Sequence, residues 1–100
     1  MRSNWTVDQI FVMCHALKDA RPNYERLAAT ASRHGPRRGK TGARAKFENI
    51  RSGLCLNGHA GLKHCSSLEK MVLSFRINDP QAFEHYCQRL AKRARKNRQG

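Results

Sequence analysis

The chain has 100 residues, of which 20 are lysine or arginine and only 7 are aspartate or glutamate, so its formal net charge is +13. This length predicts a single domain, and a hydrophobic content of 39% is enough for one small core. No apolar run approaches the roughly 18 residues that a membrane-spanning helix needs, and no apolar segment near the first residue resembles a signal peptide. We therefore expect no membrane partner, a cytoplasmic location and cysteines without disulfides.

Helical periodicity predicts an all-α fold, and the first helix has the clearest pattern. Thr6 and Gln9 have the spacing of a capping box, in which each side chain bonds the backbone N–H of the other residue. Apolar residues then recur at helical spacing up to a predicted end near Ala20: Val7, Ile10, Phe11, Cys14 and Leu17.

Three further helices are predicted from their start signals. Asn23 caps the second helix, Ser66 and Glu69 form a second capping box for the fourth, and Asp79 before Pro80 starts the fifth. We expect these helices to bury Tyr24, Leu27, Ala28 and Ala31 in the second, Leu68, Met71, Val72 and Phe75 in the fourth, and Phe83, Cys87, Leu90, Ala91 and Ala94 in the fifth.

The central stretch, residues 33–54, is the most basic part of the chain. From Arg33 to Arg51 it has seven lysines or arginines and a single acid, Glu48. Its first part, 33–42, is predicted to be a long basic loop because it is rich in glycine and contains Pro36. Residues 43–54 are predicted to form the third helix, capped by Thr41. We expect Phe47, Ile50 and Leu54 on its buried face.

The predicted fold is thus a compact all-α domain of about five helices covering residues 1–100, with the loop 33–42 between helices two and three. A second basic cluster, six lysines or arginines without an acid, begins at Arg89. Residues 95–100 are expected to fray.

Two basic clusters predict a nucleic-acid interface, with duplex DNA favoured over RNA. Lysine and arginine would contact phosphates, whereas Arg44, Asn49 and Arg51 have side chains that read base edges. A standard helix–turn–helix is disfavoured because the connector, about eight residues, exceeds the usual three or four. A merely solvated surface is the alternative. The predicted contact residues are Arg37, Arg38, Lys40, Arg44, Lys46, Asn49, Arg51, Arg89, Lys92 and Arg93.

Trp5 precedes the first helix and has two interpretations. Its ring covers that end of the core, or it stacks on a base.

Metal binding and catalysis are not predicted. Cys55, His59, His64 and Cys65 are zinc-ligand types within one short segment, but the last two are adjacent, so both cannot easily bind one ion. Cys14 and Cys87 fall on apolar helix faces and are expected in the core. No carboxylate pair is left for acid–base chemistry, and the spacing of Gly35 before Gly39-Lys40-Thr41 is one residue too short for a P-loop. We expect no cofactor.

Several short motifs resemble a known family. They are Trp5-Thr6 opening a helix, Arg44-x-x-Phe47-x-Asn49, Gly61-Leu62, and a helix with Phe75 followed by Asp79. In this order they resemble the helical DNA-reading regions ahead of HNH nuclease domains in McrA-like modification-dependent restriction proteins, and also small Myb-like helical modules of bacteria and phages. No nuclease motif follows within these 100 residues. The resemblance therefore implies a DNA-reading domain without the nuclease.

The sequence thus predicts a small, non-catalytic nucleic-acid-binding protein. The alternative is a phage or mobile-element protein that binds and occludes an acidic protein surface or a nucleoprotein machine. The sequence does not fix the oligomeric state.

Overall fold

The structure, a computed structural model, describes residues 4–19, 21–55 and 66–99, with side chains at 4–19, 21–51 and 66–93. These residues form five α-helices and no strand: α1 Val7–His15, α2 Tyr24–Ser32, α3 Lys40–Cys55, α4 Ser67–Asn78 and α5 Pro80–Gln99. The Cα radius of gyration, 13.1 Å, matches the roughly 13 Å of a compact chain of this length. The all-α prediction is confirmed. In the described ranges, no helix has both the length and the apolar character to cross a membrane.

Four of the five predicted helix caps are confirmed. Thr6 and Gln9 form a complete capping box, and so do Ser66 and Glu69. The Asn23 side chain accepts a hydrogen bond from the Arg26 N–H at 3.0 Å. Asp79 likewise accepts one from the Ala82 N–H at 3.1 Å, with Pro80 as the first helical residue.

α1 is central because it packs against each of the other four helices. Phe11 is its main aromatic contact, with ring-centroid distances of 5.5 Å to Phe83 and 4.4 Å to Tyr86. α5 therefore packs on α1 through these rings. Cys14 and Cys87 are both buried in this core, as predicted.

Some predicted core positions are wrong. Met71, which was predicted to be buried, is 54% exposed, whereas Leu73, which was not among the predicted core residues of the fourth helix, is only 2% exposed. Each helical residue turns by about 100°, so a buried face centred on Val72 and Leu73 directs Met71 to solvent. Val7, in the first turn of α1, is 40% exposed. Ala91 is exposed beside buried Leu90, and the side chain of Ala94 lies outside the described residues.

Two predicted helix bounds also differ from the structure. α1 ends at His15, and a short 3-10 turn, Ala16–Lys18, replaces the helix predicted up to Ala20. α3 begins at Lys40, so Thr41 lies inside the helix and its predicted role as cap is wrong. The reason is that the Gly39 carbonyl already accepts a hydrogen bond from the Ala43 N–H at 3.0 Å. The connector between α2 and α3 is therefore 33–39.

The buried face of α3 matches the prediction where it is described. Ala43, Phe47 and Ile50 are all 0% exposed. The side chain of Leu54 lies outside the described residues.

The connector is fixed onto α1 by the side-chain amide of Gln9, which is 0% exposed. Gln9 Nε2 donates to the carbonyls of Ala31 at 2.8 Å and Pro36 at 2.7 Å. Gln9 Oε1 accepts from the Arg38 guanidinium at 3.2 and 3.3 Å and from the Thr6 N–H at 3.2 Å. The donor and acceptor capacity of the amide is thus used in full, and the basic connector has a defined position.

Two glycine substitutions test this arrangement with opposite expected signs. A Cβ on Gly35 would lie 2.7 Å from Gln9 Cδ and from Thr6 Cγ2, whereas a Cβ on Gly42 would meet nothing within 4 Å. Gly35→Ala should therefore destabilise the fold by about 1–3 kcal/mol, as overpacking does. Gly42→Ala, inside α3, should stabilise it by up to about 1 kcal/mol through helix propensity. Urea unfolding measures both changes. Equal effects of the two variants would contradict a tight contact between the connector and α1.

Candidate nucleic-acid interface

Arg38, a predicted phosphate ligand, is built into the fold. Its guanidinium carbon lies 4.3 Å from the centroid of the Trp5 ring, and its Nη2 donates to the Asn4 carbonyl at 2.8 Å. The Arg38 N–H also donates to Ser32 Oγ at 2.8 Å. Together with its bonds to Gln9, these contacts make Arg38 a residue that holds the connector in place.

Lys46 is likewise engaged within the protein. Its Nζ lies 2.6 Å from Glu69 Oε1, and the two side chains are 23% and 2% exposed. The other Glu69 oxygen accepts the Ser66 N–H at the start of α4. Lys46 therefore neutralises a buried carboxylate that caps α4, and it ties α3 to α4.

The remaining predicted residues of α3 lie mostly at the surface. Lys40 Nζ is 3.7 Å from Glu25 Oε1, and Arg44 Nε is 3.3 Å from Glu48 Oε1. In both pairs the side chains are well exposed, so each contributes little to stability and can exchange its partner for a phosphate.

Arg51 and Asn49 differ from these exposed pairs. The Arg51 guanidinium carbon lies 5.3 Å from the Phe47 ring centroid, and Asn49 is half-buried. At 100° per residue, Lys40, Arg44 and Arg51 share one edge of α3, with Lys46 across the helix from them. The predicted contact residues of α3 therefore do not share one face of the helix. That Asn49 reads a base stays a prediction.

The basic end of α5 lies beside the first turn of α1. Arg93 Nη1 is 3.8 Å from Asp8 Oδ2, and the Tyr86 hydroxyl donates to the other Asp8 oxygen. This hydrogen bond to Asp8 is the main reason why the pKa of Tyr86 is raised. Arg89 and Lys92 on the same helix are exposed.

The connector reaches the same turn of α1. Thr6 lies two residues before Asp8, and its Oγ1 donates to the His34 carbonyl at 2.8 Å. Burial lowers the pKa of the His34 imidazole, and the Asp8 carboxylate opposes that shift. The positive charges of Arg93 and Arg33 lower the pKa of His34 further. Both basic clusters therefore lie within electrostatic reach of one imidazole.

We call this surface the cationic end of the domain and define it by Arg33 and Arg93, which both act on His34, together with their exposed neighbours Arg37 in the connector and Lys92 in α5. Of the seven acidic residues, six contact a cation, a histidine, a tyrosine or a helix N-terminus. Within the described part of the chain, no acid pairs with Arg33, Arg37 or Lys92, which are exposed. Their charge is available to an anion.

The metal-ligand candidates fall outside what the structure describes. His59, His64 and Cys65 lie in the segment 56–65, and of Cys55 only the backbone is described. Elsewhere, the described residues contain no group of three side chains able to hold a metal ion. Burial raises the pKa of the Cys87 thiol to about 12, so this thiol stays protonated near neutral pH.

The roles of two residues at this site were not predicted from the sequence. Gln9 was recognised only as half of a capping box, although its amide also positions the connector. Arg33 was counted in the central stretch but was not among the contact candidates. The capping box was the only local signal, because the partners of Gln9 lie 22 to 29 residues away.

Comparison with protein-family models, curated proteins and solved structures found no match to this chain. The resemblance to DNA-reading regions stays a prediction.

Truncating two neighbouring cations of α3 should lower the stability of the fold by different amounts. Lys46→Ala leaves a buried, capping carboxylate without its cation and should cost about 1.5–3 kcal/mol of unfolding free energy, as hydrogen bonds to charged groups do. Arg44→Ala, which removes an exposed ion pair, should cost less than about 1 kcal/mol. Urea denaturation of both variants makes the comparison. If the two lose equal stability, Lys46 is not a structural residue.

Proposed function

We propose that the protein binds DNA through the phosphate backbone at its cationic end, without catalysing a reaction. One observation carries the proposal: contacts of Thr6 and Asp8, two residues apart, bring the connector and the basic end of α5 to the same turn of α1. Cations that converge on one surface, with a single carboxylate among them, attract a polyanion and release its counterions.

The fixed connector supports this proposal further. Because the Gln9 amide holds Pro36 and Arg38 on both sides of Arg37, the Arg37 backbone is ordered before any partner arrives. Less conformational entropy is then lost on binding. A cytoplasmic location fits the proposal, since thiols such as Cys14 and Cys87 stay reduced there.

Salt dependence tests the interface with a matched pair of double variants. Arg33 and Arg37 follow the end of α2, whereas Arg21 and Arg26 lie at its start, about 10 Å or more from Arg33 along the helix axis. Replacing Arg33 and Arg37 by alanine should reduce the slope of log affinity against log salt by about two units on DNA, if each contacts one phosphate. The Arg21→Ala, Arg26→Ala control removes the same charge and should change the slope less.

Circular dichroism confirms that both double variants keep the fold. Equal slopes for the two would exclude the cationic end as the binding surface. If the wild-type protein binds an acidic protein surface but no nucleic acid at low salt, the occluding alternative replaces the proposal.

The pKa of His34 supplies a readout that needs no mutation. Arg33 and Arg93 lower this pKa in the unbound protein, so phosphates that neutralise them should raise it. An NMR titration of the imidazole with and without DNA measures the shift. The exposed His85 serves as internal control. A His34 pKa that stays constant at saturating DNA would place the phosphates elsewhere.

A further inference from the structure

A cleft with a volume of about 860 Å³ opens beside the connector. Its lining includes Trp5, Arg38, Gly42, Ala45, Lys46 and Leu68. Its volume falls within the roughly 300–1,000 Å³ typical of ligand sites. The proposed phosphate contacts assign it no role, whereas the sequence leaves base stacking open as one interpretation of Trp5.

The cleft contains the indole ring of Trp5 with two cations over it, the Arg38 guanidinium and Lys46 Nζ at 5.4 Å from the ring centroid. Trp5 is the only tryptophan of the chain, and the Arg38 guanidinium lies over its ring at 4.3 Å. Arg38 is held there by Gln9 Oε1 and by the Asn4 carbonyl. Indole rings and guanidinium planes are both groups on which unpaired bases stack.

The α3 side of the cleft leaves room for a flat ring. Gly42 has no side chain, a Cβ there would meet nothing within 4 Å, and Ala45 adds a single methyl group. Lys46, the cation at this side, is already neutralised by Glu69 at 2.6 Å. The cleft thus offers aromatic and small apolar surface in its interior, while the exposed charge of Arg37 lies outside it, one residue from Arg38.

We propose that the cleft takes an unpaired base of the bound DNA, stacked against Trp5 and Arg38, with the adjoining phosphate on Arg37. This inference rests on the proposed function and refines its substrate. DNA with single-stranded or unpaired positions should bind more tightly than a fully paired duplex, in which every base is already stacked. Stacking is tolerant of base identity because every base has a π-face.

The single tryptophan makes the test direct. The probes are a thymidine oligonucleotide, the same oligonucleotide with abasic sites, which keeps every phosphate, and a fully paired duplex. The normal oligonucleotide should quench Trp5 fluorescence and bind roughly 5- to 150-fold more tightly than the abasic one for one stacked base. The abasic strand should bind with the same salt slope but little quenching, because it keeps the phosphates and loses the ring.

A variant that blocks the cleft provides a second test of the proposal. Gly42→Leu should reduce affinity for the normal oligonucleotide to that for the abasic one and leave the salt slope unchanged. Ser74→Leu, which adds the same side chain at an exposed position of α4, should have no such effect. Circular dichroism and urea unfolding confirm that both variants fold.

The outcomes separate this inference from the proposed function. Salt-dependent binding with equal affinity for normal and abasic strands, and unchanged fluorescence, would overturn the cleft proposal and keep the phosphate interface. A Gly42→Leu variant that still prefers the normal strand would also overturn it. Absence of binding to all three probes at low salt would overturn the proposed function and this inference with it.

Discussion

The position of the basic connector depends on one buried amide, that of Gln9. It bonds the last turn of α2, the connector carbonyl of Pro36 and the guanidinium of Arg38 at once. Loss of the amide would remove these hydrogen bonds from two carbonyls and from the Arg38 guanidinium, and losing a buried partner costs more than a formed hydrogen bond contributes. Gly35 is part of the same arrangement, because only a glycine leaves the space that Gln9 and Thr6 occupy. A stretch that is glycine-rich and highly charged thereby has one conformation.

This constraint divides the cations of the central stretch into two groups. Arg38 and Lys46 bind protein groups and stabilise the fold, whereas Arg37 faces solvent. Composition alone treats all of them as equal contributors to a positive surface. Within the described residues, the exposed cations without an acidic partner include Arg33 and Arg37 in the connector and Lys92 in α5. In the part of the basic stretch nearest the core, Arg38 stacks on Trp5, and this contact contributes more to the shape of the surface than to its charge.

Most of the fold could be predicted from local signals. The caps at Thr6, Asn23, Ser66 and Asp79 act within three residues, so the sequence contains both partners of each hydrogen bond. Helical periodicity likewise identified Phe47 and Ile50 as buried. The errors in burial and in the roles of Arg38 and Lys46 have a common cause: they depend on which neighbour an element meets. The burial of Leu73 in place of Met71 follows from where α1 packs on α4. The structural roles of Arg38 and Lys46 follow from partners 29 and 23 residues away, and no local pattern indicates them.

Asp8 connects the stability of the fold to its proposed partner. Its carboxylate holds the Tyr86 hydroxyl and lies near Arg93, so it offsets part of the repulsion among cations at this end. A single carboxylate cannot balance two converging basic clusters in a chain of net charge +13, and the unbound fold therefore retains electrostatic strain there. An anion that binds the folded state relieves this repulsion and stabilises the fold by linkage. Because the unfolded chain spreads the same charges apart, the gain is specific to the folded arrangement. Under the proposed function, the domain is therefore more stable with its bound polyanion than alone.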